Sequence, residues 1–242
     1  MAGKTREMTR EKLQMKIRTA DFMAWCDRVS PGSNGRKISH MVGVSPATFS
    51  ARKQADSMQA ESVVAMSRHL GLDPVQQLGS FKGYESLLGL SAQDISFARL
   101  APLIEASAVY QELLARKADL KSPVKKIAGS QDSQRRWLDD IHPDWRTVEI
   151  ARVLGTQQSY ISRLISSNKL TISHILGIAG EYEVSPHVGL VAIDFLKPEE
   201  LKVDGVGVDL LQQLHQARNQ ELLVVAENSS RYLLDELRNL MV

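Results

Sequence analysis

Ile38-Ser39-His40-Met41-Val42-Gly43-Val44-Ser45-Pro46-Ala47-Thr48-Phe49-Ser50 and Ile150-Ala151-Arg152-Val153-Leu154-Gly155-Thr156-Gln157-Gln158-Ser159-Tyr160-Ile161-Ser162-Arg163 read alike, and this likeness decides the fold. In each, a small residue stands four before the glycine (Ser39, Ala151), where two helices can cross closely. The glycine supplies the left-handed turn that L-residues resist. A polar residue two after it (Ser45, Gln157) stands where the next helix begins and can cap it. The apolar residue six after it (Phe49, Ile161) anchors that second helix to a core. Each segment therefore predicts a helix-turn-helix.

The likeness extends outward from both segments. With a shift of 112 positions and no gap, residues 25–79 overlay 137–191: Trp25 on Trp137, Asp27 on Asp139, Ile38 on Ile150, Ser50 on Ser162, Pro74 on Pro186 and Leu78 on Leu190. The periodicity within each copy is helical, and no stretch alternates long enough to make a sheet. The expected fold class is all-α: two helix-turn-helix bundles joined by a long connecting helix and a linker, plus a C-terminal helix.

In the first copy a leading helix is expected from an N-cap at Thr9 through Leu13, Ile17 and Trp25 to the breaker cluster Ser30–Gly35, then short helices at about 36–42, 46–55, 60–70 and 73–78. The second copy predicts helices at about 147–154, 158–166, 171–182 and 185–190. Between them, 92–119 reads as one helix with Ile95, Leu100, Leu103, Val109, Leu113 and Leu114 on its apolar side. Lys121 to Arg136 reads as a flexible basic linker. The domains follow: 1–90, 91–136 as connector, 137–198, and 199–242 as a C-terminal helical segment.

Composition bounds the class. The 242 residues are 43% hydrophobic and 24% charged, as in a soluble globular chain, and no apolar run approaches the ~20 residues of a membrane helix. The basic start has no apolar segment behind it, so no secretory signal is read there and a cytoplasmic, nucleoid-associated protein is expected. The single cysteine, Cys26, forms no internal disulfide and reads as a small buried hydrophobe. The formal charge of +2 hides an asymmetry, since residues 1–136 hold 21 Lys and Arg against 13 Asp and Glu, while 137–242 hold 9 against 15. A basic half suggests a polyanion partner.

Catalytic and metal patterns are missing from the sequence. The six histidines are scattered, no HExxH, GxSxG, Walker loop or GxGxxG occurs, and Gly205-Val206-Gly207 reads as a loop. Asp139-Asp140 and Glu199-Glu200, adjacent in sequence, read as solvated or capping groups. No enzyme activity, metal or cofactor is expected. Trp25 and Trp137 read as core anchors, with base stacking open for Trp137 beside Arg135 and Arg136.

At the two quoted segments the sequence resembles the lambda-repressor-like (Cro/repressor) helix-turn-helix family, over residues 36–79 and 147–191. The resemblance implies compact bundles of about five helices whose third helix reads DNA in the major groove. Carried over by position, Gln158, Ser159 and Arg163 would face bases and Ser162 the backbone, with Gln157 at the helix entry. The first copy has Pro46, Ala47 and Ala51 at the corresponding places, leaving Ser45, Thr48, Ser50, Arg52 and Lys53 for methyl, phosphate or base contacts. Arg152 reads either as a phosphate contact or as a plain surface arginine. Two such units in one chain also resemble the immunity repressors of actinobacterial phages.

The expected function is sequence-specific double-stranded DNA binding, as a repressor acting by operator occupancy. The alternative is a protein-interaction or assembly module built on degenerate units. In the C-terminal segment, Leu222, Val225, Ser229, Tyr232, Leu233, Leu237 and Leu240 recur at three- and four-residue steps. That stripe either packs on the same chain or pairs two chains as a homodimer.

Overall fold

The computed structural model describes residues 16–127, 129 and 132–240, with backbone alone for 231–240. Among the described residues helices dominate, and the fold is all-α apart from one two-stranded hairpin. The helices are α1 Thr19–Val29, α2 Gly35–Met41, α3 Pro46–Gln54, α4 Ala60–His69, α5 Pro74–Gly79, α6 Phe97–Leu100, α7 Ala106–Lys117, α8 Ser133–Ile141, α9 Thr147–Val153, α10 Gln158–Ser166, α11 Ile172–Glu181 and α12 His187–Ala192. The hairpin strands β1 Lys202–Val203 and β2 Val206–Gly207 follow, then α13 Leu210–Gln216 and α14 Asn219–Leu240. The chain divides into two compact units. One runs to Leu90 and takes in Ala151–Thr156 and Ile172–Pro186; the other holds Ser91–Ile150, Gln157–Thr171 and the chain from His187 onward.

Caps and breakers set the helix ends in the first copy. Asn34 accepts from the Lys37 amide at 3.0 Å to start α2, and Ser45 accepts from the Thr48 amide at 3.1 Å to start α3. Asp73 accepts from the amides of Val75 and Gln76 to start α5, with Pro74 in the first turn. Such caps satisfy amides that a helix start leaves without intrahelical partners. The core behind them is aromatic. Phe22 lies 5.6 Å from Trp25 and 6.4 Å from Phe49, ring centre to ring centre, and Trp25 lies 5.8 Å from Phe81. The Trp25 indole donates to Gln77 at 2.9 Å, as a buried indole requires. Cys26 is buried beside Met66, and burial pushes its thiol up to about 12, so it remains an inert core residue.

The repeat persists in the backbone. Gly43 and Gly155 are both left-handed (φ 72° and 62°), and so are Asp56 and Asn168 (46° and 51°) and Gly71 and Glu183 (67° and 52°), each pair 112 positions apart. The hydrogen bonds follow the same shift: Val44 to Ser39 and Thr156 to Ala151, Ser57 to Arg52 and Lys169 to Leu164, Leu72 to Ser67 and Val184 to Ala179. Equivalent core positions are buried alike, including Trp25 and Trp137, Ile38 and Ile150, Phe49 and Ile161, and Leu78 and Leu190.

Several expectations are corrected. The leading helix begins at Thr19, while Ile17 forms a bridge with Met58; Thr9 and Leu13 lie outside the described residues. The expected helix over 92–119 is broken into α6, a 3-10 turn Ala101–Leu103 and α7. Pro102, which has no amide hydrogen and crowds the preceding turn, sits at the break. The expected flexible linker is held at several points: Val124 is buried, Ile104 bridges Gly129, and its end is α8. Within α8, Arg136 donates to the carbonyls of Ile104 and Ala101 at 2.6 and 2.9 Å.

Asp139 and Asp140 are structural rather than solvated. Asp139 accepts from the Trp145 indole at 2.7 Å and Asp140 pairs with Arg99 at 2.9 Å, and burial raises both carboxyls above their usual range. Glu200 is buried, and its carboxylate accepts from the Lys197 amide, a capping role. Gly205-Val206-Gly207, expected as a loop, belongs to the hairpin. Asp204 and Gly205 both have positive φ at its turn, the two-residue Asp-Gly signal for such a turn. A Cβ on Gly207 would collide with the Glu199 carbonyl.

Leu222, Val225 and Ser229 are buried, and the first two join Phe97, Ala108, Val109 and Leu214 in one apolar cluster. The start of the stripe thus packs on α7 of the same chain, and the side chains of Tyr232, Leu233, Leu237 and Leu240 lie outside the description. Arg116 secures this arrangement. Its guanidinium donates to Glu112 at 2.7 Å and to the carbonyls of Leu214, His215 and Ala217 and the Asn219 side chain. Burial would raise the Glu112 carboxyl, but hydrogen bonds from Ser122, Arg116 and His215 outweigh it and hold the group below its usual range.

Candidate nucleic-acid interface

Both quoted segments fold as helix, short turn, helix. In the first copy α2 ends at Met41, Gly43 carries the left-handed turn, and α3 starts after Ser45. Ser39 is buried and its hydroxyl donates to the Arg36 carbonyl at 2.8 Å, which satisfies it within its own helix. Phe49 is the buried residue of α3, and the rest of that helix except Arg52 is exposed. Ser45, Thr48, Ser50 and Lys53 are exposed, with the Ser45 and Thr48 hydroxyls 2.9 Å apart. Arg52 differs from these residues. It is half-buried and its guanidinium donates to Ser62 of α4 at 3.3 Å. His40 and His69, at the ends of α2 and α4, meet edge to face at 6.1 Å.

The second copy has the same frame and a different face. Ile161 and Ile165 are the buried residues of α10, and Gln157, Gln158, Ser159, Ser162 and Arg163 are all exposed. Residues 158, 159, 162 and 163 are spaced by one and four, so they share one side of the helix. The Gln158 amide donates to the Thr147 hydroxyl at 3.2 Å, joining the first residues of α9 and α10. Gln157, expected to cap, stands at the N-cap position without a side-chain cap bond, since its side chain is one carbon longer than that of the preferred capping Asn. Arg152 is exposed in the last turn of α9. The Arg163 guanidinium lies over the Tyr160 ring, 5.7 Å from its centre, a cation–π arrangement.

Tyr160 was missed by the sequence reading, although its spacing of three from Arg163 on a helix is legible. A second missed signal is charge. From Arg28 to Ala55 the chain holds five Lys or Arg and no carboxylate, and from Ile150 to Gly180 it holds Arg152, Arg163 and Lys169 and again no carboxylate. Apart from Glu149 in the first turn of α9, the acidic balance of the second half therefore resides outside α9 and α10.

Among the described residues no group of three or more His, Cys, Asp or Glu is placed to hold a metal ion, and no helix is long and apolar enough to cross a membrane. No protein-family model, curated protein or solved structure matches this chain.

Proposed function

We propose that this protein is a sequence-specific double-stranded DNA-binding regulator that represses by occupying its operator, without a catalytic step. The observation that supports this most is the exposed face of α10, with Gln158, Ser159, Ser162 and Arg163, to which α3 adds Thr48, Ser50 and Lys53, each helix lying in a stretch of chain free of carboxylates. Such a face meets phosphates without like-charge repulsion and leaves hydrogen-bonding groups for base edges in the ~12 Å major groove. The reading extends to a phage-immunity-type repressor working at the nucleoid, in which two covalently linked readers occupy an asymmetric site. Two chains would pair through the C-terminal helix.

The acidic second half supports a second reading, a protein-interaction module on the same frame. Footprinting on DNA flanking the gene, together with affinity measured across a salt series, separates the two. A DNA binder protects a discrete site and loses affinity by about 0.9 in log K per log unit of salt for each neutralised phosphate. A chain that protects no site and shows no salt-dependent DNA affinity is the interaction module.

A further inference from the structure

The segment Leu120–Ile127 carries Lys121, Lys125 and Lys126, all exposed, directly after the exposed Lys117 at the end of α7. Over 117–127 there are four lysines and a single carboxylate, Asp119. The segment has no helix or strand, yet its backbone is held. Val124 is buried in the apolar cluster with Ile104, Val109 and Leu214, and Ile127 packs against the same cluster. The Val124 amide donates to the Ser122 hydroxyl at 3.2 Å and the Lys125 ammonium donates to the Ser122 carbonyl at 3.0 Å. Just beyond, Gly129 bridges Ile104. Leu120 is fixed at the other end by its amide donating to the Ala115 carbonyl at 2.8 Å. No ion pair to Lys121, Lys125 or Lys126 is present among the described residues.

A free tether of this composition would be a solvated charge run, and each phosphate contact would cost it the ordering of its backbone. Here the fold has already paid that cost. An apolar anchor at Val124 between exposed lysines turns a linker into a row of lysines on a held backbone, each ammonium a compact point charge of the kind that binds phosphate.

We infer that Leu120–Ile127 is a phosphate-binding strap, which lays Lys121, Lys125 and Lys126 on the backbone of bound duplex DNA and adds affinity without sequence preference. The inference rests on the DNA-binding reading above and assigns it a contact surface outside both helix-turn-helix units.

The test uses the full chain and a random-sequence 30-base-pair duplex, with affinity measured from about 50 to 200 mM salt. Wild type is compared with K121Q/K125Q/K126Q and with K16Q/K82Q/K197Q, which removes the same charge from exposed lysines elsewhere. The strap variant is expected to bind more weakly and to lower the slope of log K against log salt by about 2.7, from ~0.9 for each of three phosphates. The scattered variant is expected to keep nearly the wild-type slope. Equal slopes for the strap variant and wild type, or equal reductions in both variants, overturn the strap while leaving DNA binding intact. A wild type that binds duplex DNA with no salt dependence, or not at all, overturns the DNA-binding reading and the strap with it. Because the three lysines are exposed, the melting temperature should be unchanged, and an unchanged melt shows that an altered slope does not come from misfolding.

Discussion

The two helix-turn-helix copies share a backbone down to individual hydrogen bonds and differ in how the same needs are met. After its second helix, each copy makes a left-handed turn at Asp56 or Asn168 and leaves backbone groups to be satisfied. The first copy uses backbone: Ile17 and Met58 exchange both their amide–carbonyl bonds, at 3.2 and 2.9 Å. The second uses one side chain. Buried Gln134 donates from its amide to the Asn168 carbonyl at 2.8 Å and accepts from the Leu170 amide at 3.0 Å. The exposed faces of α3 and α10 diverge similarly, with Pro46, Ala47 and Ala51 in one copy where the other has Gln158, Ser159 and Arg163. A frame can be conserved between copies of one chain by its turns and core while its surface is rewritten.

Truncating the equivalent core anchors tests the shared frame most severely. Phe49→Ala should cost about 3–5 kcal/mol and Ile161→Ala about 2–5 kcal/mol, read by denaturant unfolding; a cost under ~1 kcal/mol at either position would mean that copy does not depend on its anchor. Gln134→Leu should cost about 1–3 kcal/mol by leaving the Leu170 amide and Asn168 carbonyl without their partner, whereas the equivalent Phe22 carries no such duty. A neutral Gln134→Leu would refute this division of labour. On an operator found by footprinting, Arg163→Ala should lose about 1–3 kcal/mol of binding if it holds a base. Equal losses on operator and random DNA would make it a phosphate contact instead.

Smaller effects sharpen the contrast. Ser45→Ala should destabilise by about 1 kcal/mol through loss of the α3 cap, while Gln157→Ala, with no cap bond to lose, should be close to neutral in the same melts. His174 stands where the first copy has Ser62, is buried, and has its imidazole pushed below the ordinary histidine range by burial. Because the folded value lies below the unfolded one, stability is complete above the unfolded value of about 6.5 and declines as pH falls below it. Melting at pH 7.5 and 5.5 should show an acid loss that His174→Ser reduces. An identical pH dependence in the variant would remove His174 as the cause.

Much of the frame was legible because its signals are local. Gly43, Gly155, Pro74 and the Ser and Asp caps announce helix ends within one or two residues of those observed, and the repeat lent each copy the other's evidence. What was not legible depends on contacts distant in sequence or on a single breaker outweighed by an apolar stripe. Pro102 was overridden by the periodicity around it, and the Asp204-Gly205 turn had strands too short to alternate visibly. The bond that ties one N–H of Arg52 to Ser62 links two helices, and no spacing rule exposes it. The polar face of α10 was read residue by residue, but its Tyr160 was passed over as if an aromatic residue belonged inside.

Arg116 closes contacts with residues 98 to 103 positions further along, gathering three carbonyls where α13 ends and α14 begins. In folding terms this lock closes a loop of about a hundred residues, and the entropy lost in that closure comes before the bonds that offset it. The C-terminal helix should therefore be late to acquire protection from hydrogen exchange during refolding, and Arg116→Lys, with a single ammonium in place of a five-donor fork, should leave it the first element to open.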